Sequence, residues 1–230
     1  MNAEQQTSPT TTVPWTVRDV VLGVVFLVIW WVGNVIVAVV VALLNLSVNS
    51  GLLTGLAELT LLAPVWWLGL RKYHVRWETL GLRAFRAEAL GIGCGLMILS
   101  AGFNCSYNLC LGLFERQAQP DLVPVFAELS SPWWLLGAGV LIAPVVEELF
   151  FRGFVFAGLR QRYGWRTAAL LSAGLFALVH LQPLAVPPVF ILGCIFAYLY
   201  QRSHSIWPPI VMHVATNALS LGAAYLMSKM

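Results

Sequence analysis

Ala143-Pro144-Val145-Val146-Glu147-Glu148-Leu149-Phe150-Phe151-Arg152 places two acids and one base inside an apolar run. From Pro132 to Leu159 the run carries no other charge. About 20 apolar residues carry a helix across a bilayer, so the stretch is long enough to span one. A carboxylate at the bilayer centre costs roughly 2.5–3.5 kcal/mol on insertion scales, and two in succession call for a chemical reason. Arg152 follows Glu148 by one helical turn, within reach of an ion pair on the same face. Adjacent helical positions differ by about 100°, so Glu147 and Glu148 cannot share that face. The spacing therefore predicts Glu148 tied to Arg152 and Glu147 turned toward a cavity.

The rest of the chain agrees with a membrane setting. Of its 230 residues 59% are hydrophobic and 10% charged, with a mean hydropathy of +0.80. A soluble domain carries about 25% charged residues, so the composition points to an all-α polytopic membrane helix bundle. It offers nothing to a nucleic-acid partner. Seven spans are expected: Val17–Leu44, Leu52–Leu70, Ala87–Phe114, Pro132–Leu159, Arg166–Leu181, Pro187–Gln201 and Ile206–Met227. The polar stretch 1–14 reads as a disordered tail with no secretory signature, and 15–230 as a single transmembrane domain. The connection from Glu115 to Ser131 has room for a short surface helix.

Basic residues fix an expected orientation. Arg18, Arg71, Lys72, Arg76, Arg83, Arg86, Arg152, Arg160, Arg162, Arg166 and Arg202, 11 of the 13, fall on one side of a seven-span arrangement. That side is cytoplasmic by the positive-inside rule, giving a cytoplasmic N-terminus. Cys94, Cys105, Cys110 and Cys194 lie in apolar segments without ligand spacing and read as small buried hydrophobes. Gly91 and Gly95 have the spacing of a close-packed helix contact.

Few other groups with chemistry lie within the spans. His180 ends Phe176-Ala177-Leu178-Val179-His180, and His213 and Asn217 are four apart on one helical face. Glu58 stands alone in the second span. If the fourth and fifth helices turn at Tyr163-Gly164, Glu147 and His180 each lie about 16 residues from the turn. At 1.5 Å per residue both are roughly 24 Å from it, hence level. Singly, each histidine or asparagine is as well explained as a helix–helix hydrogen-bond partner. Together with the glutamates they suggest a chamber.

The chemistry of such a chamber is hydrolysis. Glu147 is suited to take a proton from water, His180 to share that water and protonate a leaving amine, and His213 and Asn217 to stabilise an oxyanion. No cofactor is required by this reading. A zinc alternative stands beside it, with Glu147, His180 and His213 as three ligands and water as the fourth, though HExxH is absent. Two other readings use the same residues: a membrane immunity or peptide-binding protein without enzymatic activity, and a proton-coupled transporter using Glu58 and Glu147.

The EExxxR of Glu147, Glu148 and Arg152, the FxxxH of Phe176 and His180, and the HxxxN of His213 and Asn217 occur in one order. In that order the chain resembles the CPBP family, which contains the CAAX-processing prenyl-protein endopeptidases and the bacterial Abi-type proteins. The resemblance covers about 132–219. It implies an intramembrane glutamate-dependent protease in a bacterial plasma membrane, acting on a membrane-associated peptide or protein. Glu147 and His180 would activate water, His213 and Asn217 would form the oxyanion site, and Glu148 and Arg152 would support them.

Overall fold

The computed structural model describes residues 12–129 and 131–230. Among these residues every regular element is helical. Six helices are long and apolar enough to cross a membrane: Val17–Leu43, Ser50–Arg71, Glu88–Gly112, Trp133–Leu178, Pro183–Ser203 and Trp207–Met227. The fourth runs through 46 residues, but Gly164 interrupts it at φ 75°, ψ 160°. Side-chain-bearing residues rarely adopt that conformation. The 46 residues are thus two arms of a hairpin, and the Ser172 hydroxyl on the second donates to the Phe151 carbonyl on the first at 2.8 Å. Seven expected spans become six helical stretches, one of them folded at the expected turn. A Gly164→Val substitution is expected to cost about 1–3 kcal/mol. Thermal unfolding in detergent reads this as a lowered midpoint, and an unchanged midpoint would show the turn to be unstrained.

Most of the molecule's outer surface is apolar, as in Ile29 at 64% and Ile98 at 72% exposure. Lipid tails are as apolar as these side chains, so there is little drive to bury them inside the bundle. The same reason corrects two expectations. Cys94, Cys105 and Cys110 are exposed on the Glu88–Gly112 helix and Cys194 is only half-buried, so they are not core residues. Gly91 and Gly95 have open space beside them, and the tight contact falls on Gly93, where a Cβ would lie 2.9 Å from Met212 Cγ. Val123–Glu128 forms the short helix expected in the connection before the fourth span.

The proposed tail lies outside the described residues up to position 11. Its last residues are ordered by contacts: Val13 is buried, and its carbonyl accepts from Gln161 Nε2 at 2.7 Å. Thr16 and Asp19 then cap the first helix reciprocally. Asp19, fully buried, also accepts from Lys72 and Tyr73, which ties the chain's start to the end of the second helix. The aromatic core gathers at this arginine-rich end. Trp15, Phe150, Phe154, Phe156, Leu80 and Tyr200 are each 2% exposed or less. Trp15 Nε1 donates to the Phe154 carbonyl at 2.9 Å, and the Tyr200 hydroxyl to that of Leu80 at 3.2 Å.

Candidate active site

Pro144 shapes the segment that carries the glutamates. It has no N–H to give the helix, and its ring crowds the carbonyl four residues back. The preceding residues, Ala138–Ile142, widen into a π-helical turn; Ala143–Glu148 is α-helical, and Leu149–Phe156 is π-helical again. Such turns take an additional residue and recur at functional sites. They also displace side chains from the regular spacing on which a depth estimate from sequence rests.

The two glutamates diverge. Glu148 is fully buried, and its Oε1 accepts from Arg152 Nη1 at 2.9 Å and pairs with His213 Nδ1 at 3.0 Å. Arg152, equally buried, donates through Nη2 to the Gly193 carbonyl at 3.3 Å. Its guanidinium lies 4.4 Å from the ring centre of Phe176 and 5.3 Å from that of Phe196. The charge is thereby offset by a carboxylate, a carbonyl and two π faces, while Nε has no hydrogen-bond partner among the described residues. Gly193 lets its helix lie close against the hairpin's second arm, since a Cβ there would lie 3.0 Å from Ala173 Cα. Glu147 keeps a side-chain exposure of 17%, with Oε2 3.6 Å from His213 Nε2. That separation is longer than a hydrogen bond and within ion-pair range.

His213 therefore stands between both acids, one on each ring nitrogen. Phe196 stacks on its imidazole, with centroids 4.9 Å apart and planes at 24°. Phe176 meets the rings of His213 and His180 edge-on, at 5.6 and 5.1 Å. His180 lies just beyond the helix end, and its Nδ1 is 2.7 Å from the Phe176 carbonyl. A carbonyl only accepts, so Nδ1 carries the proton and Nε2 the lone pair. Asn217 donates one amide hydrogen to the Gly139 carbonyl at 2.8 Å and keeps a second.

His180, His213 and Asn217 line one cavity of about 710 Å³, walled by Ile98, Leu192 and Phe196 among others. Glu147 borders His213 rather than the cavity wall itself. His180 forms no ion pair with either glutamate among the described residues; the imidazole within ion-pair distance of both is that of His213. No three metal-binding side chains come together among the described residues. Two participants were not legible in the sequence: Phe196 looks like any span phenylalanine, and the Glu148–His213 contact joins residues 65 positions apart. Glu58, which seemed solitary, is an electrostatic neighbour of Glu147, and its Oε2 is buried with no hydrogen-bond partner among the described residues.

Comparison with known proteins falls on this part of the chain. Residues 129–219 match the family model described as type II CAAX prenyl endopeptidase Rce1-like. The matched segment contains all three motifs. A protein of Bacillus subtilis (strain 168) named "Putative membrane peptidase YdiL" is 32% identical over 77 residues, which cover 34% of this chain and 32% of that one. An uncharacterized 24.3 kDa protein of Escherichia coli is 31% identical over 111 residues, 45% of this chain and 51% of its own. The UPF0177 protein YxdF of Lactococcus lactis subsp. lactis (strain IL1403) is 31% identical over 78 residues, 34% and 42% of the two chains. The chain thus spans about a third to a half of the length of these relatives. No solved structure matches it.

Proposed function

We propose, for a chain that belongs to the CPBP family over residues 129–219, that the cavity is the active site of an intramembrane endopeptidase. Its substrate is a peptide or protein in or at the membrane. The observation that carries this reading is the placement of Glu147 and Glu148 on opposite nitrogens of His213, which itself lines a cavity with His180 and Asn217. Glu148 is engaged by Arg152, whereas Glu147 has no comparable hydrogen bond among the described residues and is the acid available to chemistry.

In the proposed reaction Glu147 takes a proton from water as the water oxygen attacks the peptide carbonyl. His180, with its Nε2 lone pair, accepts a hydrogen bond from the same water. The proton that Glu147 has taken then passes to His180 Nε2 and from there to the leaving amine as the C–N bond breaks, which restores the Glu147 carboxylate. The second Asn217 N–H and the His213 Nε2–H stabilise the oxyanion. As a donor His213 needs both ring protons, and the Glu148 carboxylate on Nδ1 offsets the charge. Arg152 and Glu148 act as positioning residues. The chemistry as written uses protein side chains and water alone.

The test is cleavage of a peptide library by the purified chain in detergent, read by mass spectrometry. Loss of one oxyanion donor typically lowers kcat by about 10²–10³-fold. Asn217→Ala is expected to do so with little change in KM, and equal turnover by this variant would remove Asn217 from the mechanism. Binding of library peptides without cleavage by the parent chain would favour the non-enzymatic immunity or peptide-binding reading instead.

A further inference from the structure

The 710 Å³ cavity does not end at His180. A second cavity of about 540 Å³ lies beyond it, with Asp121, Gln182, Ala224 and Met227 in its wall. Gln119, His180, Val189 and Ser220 belong to both walls, so the two form one groove with His180 at the junction. The inner compartment is mainly apolar, and Ile98 and Leu219 in its wall are 72% and 76% exposed on the bundle's surface, at lipid depth. The outer compartment is walled partly by residues 119–123, from the connection between the third helix and the hairpin. Among its described lining residues Asp121 is the one carboxylate, and there is no Lys or Arg.

The opposite end of the molecule is closed. Trp15, Phe150, Phe154, Phe156, Leu80 and Tyr200 fill it. The Leu80–Arg83 connection is fastened to the last inter-helix turn by Ile206 N–H donating to Gly81 and the Ser205 hydroxyl donating to Arg83. A 510 Å³ hollow at that end, beside Arg18 and Arg162, shares no lining residue with the groove. The connections at the closed end are the arginine-rich ones, which the positive-inside rule assigns to the cytoplasm.

We propose that the groove is loaded from the non-cytoplasmic side by an extended peptide segment. The apolar stretch of that segment occupies the inner compartment at bilayer depth, and its neutral or basic polar continuation occupies the outer one. The scissile bond then lies at His180, where the compartments meet. An acidic continuation is disfavoured by Asp121, which faces it without a compensating cation in the wall. This inference rests on the endopeptidase reading and adds the side of entry and the pattern of the substrate.

The side of entry is tested with Gln119→Cys, and with Gln182→Cys as a second position. Sealed right-side-out spheroplasts and inside-out vesicles containing the full chain are treated with a bulky, membrane-impermeant maleimide. After quenching and solubilisation, turnover is measured on synthetic peptides bearing an apolar segment and a neutral polar tail. The expected result is labelling in spheroplasts alone, with turnover at least tenfold below that of the unlabelled variant. Arg86→Cys, at the arginine-rich end, should label in inside-out vesicles and lose no activity. Labelling of the groove positions from the cytoplasmic side only, labelling from neither side, or labelling without loss of turnover overturns the proposal. Glu147→Gln run alongside separates the two claims. An inactive Glu147→Gln with an insensitive groove removes the entry side alone, whereas an active Glu147→Gln removes the catalytic reading beneath it.

Discussion

Glu147→Gln is expected to lower peptide turnover by about 10²–10⁴-fold, the range seen when a general base is lost, and to leave the fold intact. The amide keeps the size and hydrogen-bonding reach of the carboxylate but cannot accept the proton of an attacking water. Little structural cost follows, because Glu147 makes no bond to Arg152 and sits 3.6 Å from His213, outside hydrogen-bond distance. Turnover is measured on the purified variant beside its helix content by circular dichroism. Glu148→Gln is the informative comparison. Its amide oxygen still accepts from His213 while the charge opposite Arg152 is gone, so its principal loss is in stability. If Glu147→Gln retains turnover within threefold of the parent, Glu147 is not the base.

Arg152→Ala is expected to be the most destabilising single change at the site, by about 3–5 kcal/mol. Truncation leaves the Glu148 carboxylate at 0% exposure without its cation, and it removes a side chain that fills the space between Phe176 and Phe196. The thermal midpoint in detergent should fall sharply. A companion Arg152→Met, Glu148→Gln double substitution removes both charges and keeps the volume, so most of the stability should return. Equal loss in the single and double variants would show that packing, not the buried charge, holds this region together.

The sequence made the helix count, the hairpin turn and the Glu148–Arg152 pair legible, each for a local reason. Gly164 follows directly on Tyr163 after a long apolar run, and Arg152 lies one turn from Glu148. What was not legible depends on contacts between distant segments or on departures from regular helix. The π-helical turns around Pro144 shift the faces of the glutamate helix, so regular spacing could not name the neighbour of Glu147. The partner proved to be His213, on the last helix, through a contact no spacing encodes. The cysteines and Gly91 and Gly95 were misplaced because in a bilayer an apolar residue gives no signal of inside or outside. Phe196 was invisible for the same reason.

The aromatic packing at the arginine-rich end has a bearing on bioenergetics. The proposed hydrolysis at this depth requires water to reach a nest of carboxylates and imidazoles, the materials from which proton wires are made. Were that wet column continuous between the two faces, every folded copy would short-circuit the membrane's electrochemical gradient. Phe154 and Phe156, with Trp15 and Tyr200, whose indole N–H and hydroxyl bond to backbone carbonyls, interpose an apolar layer between the groove and the opposite face. On the endopeptidase reading, the cell can then keep a hydrolytic site within its insulating layer and remain energised.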